Sequence, residues 1–299
     1  MAAAEGPTPP VIVLRHPARA VRLTAALGEA GFRVSALPLT DTELPDDTDA
    51  VVRELAALAR GEYAWLVVTS GNTVQALDLV ARGSGTSVAD AVRTGGARVV
   101  AVGTATADLL GGIGVEVSLL PEDESAAGIL DIFPHGSPHG SPHGSPHGTG
   151  RVLLPQSDLA PDTLRAGLER LGWSVRRVEA YRTVPYPAEP ERRVPGVEEA
   201  GVPPPLLGMS DALDLVTGTV RAVVVFTAPS AVRQFGDRVI GSGGVRPSFT
   251  AVAIGRTTAA ALRAEGWDPA ATAAMPTPEG IVGAVRHATG RTATTDHSL

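Results

Sequence analysis

The chain has 299 residues, 43% apolar but only 4% aromatic, enough for two domains whose cores are mostly Val, Leu, Ile and Ala. It contains no cysteine and no lysine, all 25 basic residues being Arg, which excludes disulfides, thiolate nucleophiles, lysine Schiff bases and the lysine of a P-loop. The net charge of −7 argues against general nucleic-acid affinity, and no apolar run reaches the roughly 18 residues that cross a bilayer.

The first ten residues, MAAAEGPTPP, lack the basic and apolar regions of a secretory signal, so a cytoplasmic location is expected. Residues 11–14 read as a buried strand and 17–30 as a helix closed by Gly31, with the next strand over Phe32–Leu39. An amphipathic helix over 48–60 precedes a strand at 64–69. Residues 134–148 are the tandem repeat PHGSPHGSPHGSPHG, whose Pro and Gly in every unit oppose a helix and present no face to bury; it reads as a solvated linker, with adventitious metal binding by its His residues the alternative. A strand at 151–155, a helix at 161–171 capped by Gly172, and a strand at 173–181 follow. The Pro-rich stretch 185–205 reads as a connector, and residues 206–218 as a short helix feeding a strand at 221–226.

These pieces repeat. Residues 11–34, 66–77 and 99–117 recur in the same order as 151–175, 223–235 and 251–269. Each piece is an apolar β-branched run, a turn of small residues and a helical pattern, so the fold class is α/β with parallel sheets flanked by helices. A tandem repeat by itself suggests a division near residue 150.

Four turns carry hydroxylated residues: Thr69-Ser70-Gly71-Asn72, Gly103-Thr104-Ala105-Thr106, Thr227-Ala228-Pro229-Ser230 and Gly255-Arg256-Thr257-Thr258. Ligands of open parallel sheets gather at the carboxyl ends of strands, where such turns expose the unpaired N–H groups of helix starts. Anion binding and plain N-capping are both open readings of any single turn. Together, the four point to a shared anion-binding cleft. Arg15, just past the first strand, is placed there too. His16 and His287 have no carboxylate arrangement that suggests a metal, and the acidic run Glu122, Asp123, Glu124 reads as solvated loop.

At these residues the chain resembles the uroporphyrinogen-III synthase family. The resemblance rests on Arg15 in VLRHP, VVTSGNTVQAL, VAVGTATADLL, the RVLLPQSDLA block through Tyr181-Arg182-Thr183, VVFTAPSAV, AIGRTTAAAL and MPTPEGIVGAV, in family order across residues 11–287. It implies two similar lobes joined by a two-strand connection with a cleft between them. Lobe one is then 1–39 with 186–299, and lobe two is 40–185.

The resemblance further implies cyclisation of hydroxymethylbilane, a linear octacarboxylate tetrapyrrole, with ring D inverted and no cofactor. Tyr181 is then expected to assist departure of the substrate hydroxyl. Arg15, Thr69, Ser70, Gly71, Asn72, Gly103, Thr104, Thr106, Thr227, Ser230, Gly255, Arg256, Thr257 and Thr258 are expected to bind substrate. A monomer receiving its substrate from hydroxymethylbilane synthase is implied, with no nucleic-acid or membrane partner. Ala228 stands where the family often has Ser, and Arg256 where Pro is common. A non-catalytic tetrapyrrole- or anion-binding regulator with the same fold is the alternative.

Overall fold

Short β-branched runs alternating with amphipathic helices form two parallel sheets in the computed structural model, which describes residues 8–136, 150–196, 199–241 and 247–291. The strands are β1 (Val11–Val13), β2 (Val34–Ala36), β3 (Thr40–Glu43), β4 (Trp65–Val68), β5 (Arg98–Ala101), β6 (Arg151–Ser157), β7 (Ser174–Pro185), β8 (Val223–Phe226), β9 (Thr250–Ala253) and β10 (Ala271–Thr272). The helices begin with α1 (Val21–Glu29), α2 (Asp49–Ala59), α3 (Gly71–Gly83), α4 (Val88–Gly95), α5 (Thr104–Gly112) and α6 (Ala126–Ile132). They continue with α7 (Thr163–Arg170), α8 (Met209–Thr217), α9 (Pro229–Phe235), α10 (Arg256–Ala264) and α11 (Pro278–Ala288).

One compact unit combines Met1–Asp41 with Val197–Leu299, and the other is Thr42–Gly196. The first unit is discontinuous because β1 inserts between β2 and β8 in the order β10-β9-β8-β1-β2, with Ile12 opposite Ser35 on one side and Val224 on the other. Alternate residues of its strands serve two cores. Ile12, Val224 and Phe226 pack on one face, and Val11, Val13, Val223 and Val225 on the other. The first face gathers Phe226, Phe235, Phe249 and Trp267, with ring centroids 5.4–6.2 Å apart. Most of the scarce aromatic volume is concentrated in this cluster and its counterpart.

The second unit carries the order β3-β7-β6-β4-β5, again buried on both faces. Leu66 and Val68 face α2–α4, whereas Trp65 and Val67 face Phe133 and Trp173, whose rings stand 5.8 Å apart edge to face. Here the Pro-rich stretch departs from the expected connector. Val194 N–H donates to the Thr42 carbonyl, Leu44 N–H to the Arg192 carbonyl, and the Arg192 guanidinium binds Glu43, Asp46 and Glu189. Those bonds hold residues 186–196, expected with the first lobe, against β3 of the second unit. Past residue 198 the stretch belongs to the first unit, where Glu199 N–H donates to the Ala18 carbonyl and Ala36 N–H to the Pro205 carbonyl.

Other differences are local. The helix expected over 17–30 is a 3-10 turn, Pro17–Arg19, followed by α1, because His16 Nδ1 accepts from Ala18 N–H at 3.3 Å and starts a separate turn. The strand after Phe32 shortens to Val34–Ala36, and β7 runs on to Pro185. Of the expected His-rich linker, residues 137–148 lie outside the described residues. Its first unit is docked: Trp173 Nε1 donates to the Pro134 carbonyl at 2.7 Å and Gly136 N–H to the Leu171 carbonyl at 2.7 Å.

Candidate active site

Parallel pairing sends the carboxyl ends of β4, β5, β6 and β7 to one edge of the second unit's sheet. At the β4 end, Ser70 adopts an extended backbone and caps α3, its Oγ accepting from Thr73 N–H at 3.1 Å. The same oxygen lies 2.9 Å from Thr73 Oγ1 and 3.2 Å from Tyr181 Oη. Tyr181 reaches it from β7, paired with Ser157 and packed against Ala76 and Val194, with 9% of its surface exposed. Asn72 Nδ2 donates to Thr42 Oγ1 at 3.3 Å. Thr69 is half-buried, and a side chain at Gly71 would meet Leu109 of α5 at 2.7 Å.

Thr73 N–H fills one lone pair of Ser70 Oγ, and in the Ser70–Thr73 and Ser70–Tyr181 hydroxyl pairs either oxygen can donate. In the arrangement where Ser70 donates to Tyr181 Oη, the tyrosine proton is available to a ligand.

The β5 end differs from expectation. Gly103 caps α5 without a side chain of its own, and Glu124 supplies one, Oε1 accepting from Thr104 N–H at 2.7 Å and from Thr104 Oγ1 at 2.8 Å. A Cβ at Gly103 would lie 2.5 Å from that carboxyl carbon, so the approach requires glycine. Hydrogen bonds from the Thr104 N–H and then from its hydroxyl hold the Glu124 carboxyl below its ordinary pKa. Glu124 is therefore a placed group rather than free solvated loop. The β6 end is braced too: Arg177 binds Asp162 and the carbonyls of Ser157 and Ala160, and Asp158 accepts from Thr183 N–H at 3.0 Å.

In the first unit, the ends of β1 and β8 border a pocket of about 230 Å³ lined by Arg15, His16, Arg19, Thr40, Thr227 and Ser230, with Ala228 and apolar neighbours. The lining holds two guanidiniums and an imidazole but no carboxylate, so it suits an anion. Thr227 Oγ1 donates to the Leu14 carbonyl at 2.8 Å, tying the two strand ends together and committing that proton. Arg15 is exposed and Ser230 lies at the rim. A larger hollow of about 510 Å³ in the same unit, lined by α1 and residues 200–205, contains none of the expected residues.

At the β9 end, Gly255 caps α10 with extended backbone and no side-chain bond, and Arg256 and Thr257 are exposed. Thr106 and Thr258, expected at the surface of the site, are instead 5% and 1% exposed. The reason is the helix period: each is the third residue of its helix, and about 100° per residue turns that position to the core while the first two face outward. Residues that local reading missed are Arg19, His16 and Glu124. The only sequence signal for the first two was their place just after the first strand. The third stood in an acidic run read as solvated loop, because its partner Thr104 lies 20 positions away. Among the described residues, no cluster of three or more metal-ligating side chains occurs, and no helix is long and apolar enough to cross a membrane.

A profile of the family described as Uroporphyrinogen-III synthase HemD matches residues 21–283. Among solved structures, a mutant uroporphyrinogen III synthase from the extremely thermophilic bacterium Thermus thermophilus is 20% identical with a TM-score of 0.59, covering 95% of this chain and 99% of its own. The uroporphyrinogen-III synthetase of Helicobacter pylori is 15% identical with a TM-score of 0.54, covering 92% and 97%. Both show the shared fold. No curated protein matches the chain. With most of its length matched by the family profile and its two parallel sheets in the order described, the chain belongs to the uroporphyrinogen-III synthase family.

Proposed function

We propose that the protein cyclises hydroxymethylbilane with inversion of ring D, releasing uroporphyrinogen III and water as a hydro-lyase of tetrapyrrole biosynthesis. The observation that carries this reading is Tyr181 Oη, 3.2 Å from Ser70 Oγ at the carboxyl edge of the second unit's sheet. In the proposed reaction, the terminal C–O bond breaks and the departing hydroxyl takes a proton from Tyr181, leaving as water. The remaining azafulvene is attacked by the substituted α-carbon of ring D. The spiro intermediate fragments and recloses through the other α-carbon, and loss of a proton restores the pyrrole and the tyrosine. The pyrroles supply the electrons throughout, so the protein's part is positioning and electrostatics.

Carboxylates of the bilane are assigned to the Arg15–Arg19–His16 pocket and to the Gly255-Arg256-Thr257 turn of the first unit. Thr69, Ser70 and Asn72 of the second unit are assigned to substrate through their place at the β4 end. Thr106 and Thr258 support the turns from within rather than by contact.

The test is to supply hydroxymethylbilane and resolve the uroporphyrinogen isomers. Type III product above the spontaneous background is the expected result. Type I alone, formed at the uncatalysed rate, overturns the reading and favours a non-catalytic binding protein of the same fold.

A further inference from the structure

A parallel strand pair aligns its residues one to one, and β7 breaks that count beside the candidate tyrosine. Gln156 of β6 pairs with Glu179, but Ser157 pairs with Tyr181, so Ala180 is one residue in excess. Side chains of a regular strand alternate between faces, which would send Tyr181 to the side of Glu179, an exposed residue. Instead Ala180 and Tyr181, neighbours in the chain, are both buried and both belong to the cluster with Ala76 of α3 and Val194. The bulge thus turns Tyr181 toward α3, where its Oη stands 3.2 Å from Ser70 Oγ. One residue fastens the strand just past that turn. Asp158 N–H donates to the Tyr181 carbonyl at 3.1 Å, and Asp158 Oδ1 accepts from Thr183 N–H at 3.0 Å. Ser157 Oγ donates to the same carboxylate oxygen at 2.7 Å. Arg177 holds the loop from below through the carbonyls of Ser157 at 3.1 Å and Ala160 at 3.0 Å.

We infer that Asp158 is a positioning residue for the proposed reaction, its carboxylate holding the β7 bulge that aims Tyr181 at Ser70. A bulge interrupts the backbone ladder, so the path of Tyr181–Thr183 depends on the side-chain acceptor that takes the ladder's place. Asp158 suits that task because its carboxylate oxygen is steadied by Ser157 and its loop by Arg177. Proton transfer to a departing hydroxyl needs the donor within hydrogen-bond reach, and a misplacement of about 1 Å costs about 10²-fold in rate. Losing the Thr183 bond lets the strand relax toward regular alternation, which carries the Tyr181 ring away from Ser70. This inference rests on the proposed role of Tyr181, and its test includes a readout independent of turnover.

The experiment compares Asp158→Ala, which removes the acceptor, with Asp158→Asn, which keeps an oxygen for Thr183 N–H. Each is made in the parent and in Tyr181→Phe, and kcat and KM for hydroxymethylbilane are measured. Asp158→Ala is expected to lower kcat about ten- to hundredfold with little change in KM, and Asp158→Asn to stay within about threefold of the parent. In the Tyr181→Phe background, Asp158→Ala should cost less than about threefold more, because the group it aims is already gone. The second readout is nuclear magnetic resonance of Cζ-labelled tyrosine. The chain has three tyrosines, and the Tyr181 signal is the one that Tyr181→Phe removes. Asp158→Ala should move that signal and leave the Tyr63 signal in place. Should Asp158→Ala not fold, Ser157→Ala, which removes only the hydroxyl that steadies the carboxylate, is expected to act in the same directions with smaller effect. An unmoved Tyr181 signal overturns the inference. So does an undiminished kcat loss in the Tyr181→Phe background, since Asp158 then acts on something other than the tyrosine. Absence of type III product in the parent would sink the proposed function, yet the tyrosine signal would still decide whether Asp158 sets the position of Tyr181.

Discussion

Tyr63 and Tyr181 are nearly buried phenols in the same unit whose surroundings set different tasks. Tyr63 donates to Glu54 and lies beneath the Arg151 guanidinium, 4.7 Å from the ring centroid. Burial first, then the Glu54 carboxylate, pushes its pKa well above the ordinary value. Below about pH 10 the folded and unfolded chains both hold that proton; above it the unfolded chain releases it first, so stability falls as pH rises. Urea unfolding between pH 8.5 and 11 should show this decline, and Tyr63→Phe should flatten it. A decline of equal slope in Tyr63→Phe would place the titrating group elsewhere.

On the proposed role of Tyr181 as proton donor to the departing hydroxyl, Tyr181→Phe should lower kcat by about 10- to 10³-fold with little change in substrate affinity. Unchanged turnover would leave Tyr181 as a packing residue beside Ala76. Among the arginines, Arg15→Ala should raise KM by an amount equivalent to about 1–3 kcal/mol, the range for a charge-assisted contact. Arg151→Ala, at the start of β6 where the guanidinium binds Glu62 and Tyr63, should instead lower stability and leave KM alone. A KM rise of similar size in both variants would mean the anion pocket is misassigned.

At the scale of elements, helix starts decide which hydroxyls face outward. The turns after β5 and β9 each place one extended glycine before the helix, so the first two helical residues face outward and the third packs inward. That periodicity separates Thr104 and Thr257 from Thr106 and Thr258, although all four look alike in a linear reading. Packing between helices is equally specific. Gly95 ends α4 against α2, and a Cβ there would lie 1.8 Å from the Leu58 carbonyl oxygen. Gly95→Ala should force the helices apart and cost about 1–3 kcal/mol in urea unfolding. A smaller loss would show that α4 can shift without strain. Both α4 and α6 escaped the sequence reading, being short and carrying only a few core residues each.

For the whole molecule, the discontinuity of the first unit has a simple cause. β1 has β-branched residues on both faces and needs a strand on each side; β2 supplies one locally and β8, far along the chain, supplies the other. The His-rich repeat divides in a similar way between local and long-range roles. Replacing residues 137–148 with a short Gly-Ser segment should leave the melting temperature and turnover unchanged, since the repeat has no apolar face. Extending the replacement through Pro134–Gly136 removes the Trp173 and Leu171 bonds and should lower the melting temperature. Equal melting of both variants would make that docking dispensable.

Periodic features were legible in the sequence because they are local. Apolar runs, helix faces and small-residue turns specify α/β repeats regardless of what they later touch, and the ordered motifs were enough to indicate the family. The hydroxyl turns at the ends of β4, β5, β8 and β9 were legible for the same reason. What the tertiary structure decided were meetings of residues far apart in the chain. Ser70 reaches Tyr181 across 111 positions, and Glu124 reaches Thr104 across 20. Arg15 and Arg19 share a pocket with Thr227 and Ser230. Residues 186–196 lie with β3 because Arg192 finds Glu43 and Asp46, a pairing of charges that no period in the sequence encodes. Backbone propensity and side-chain alternation act within a few residues, whereas hydrogen bonds and ion pairs across the fold depend on which strands become neighbours.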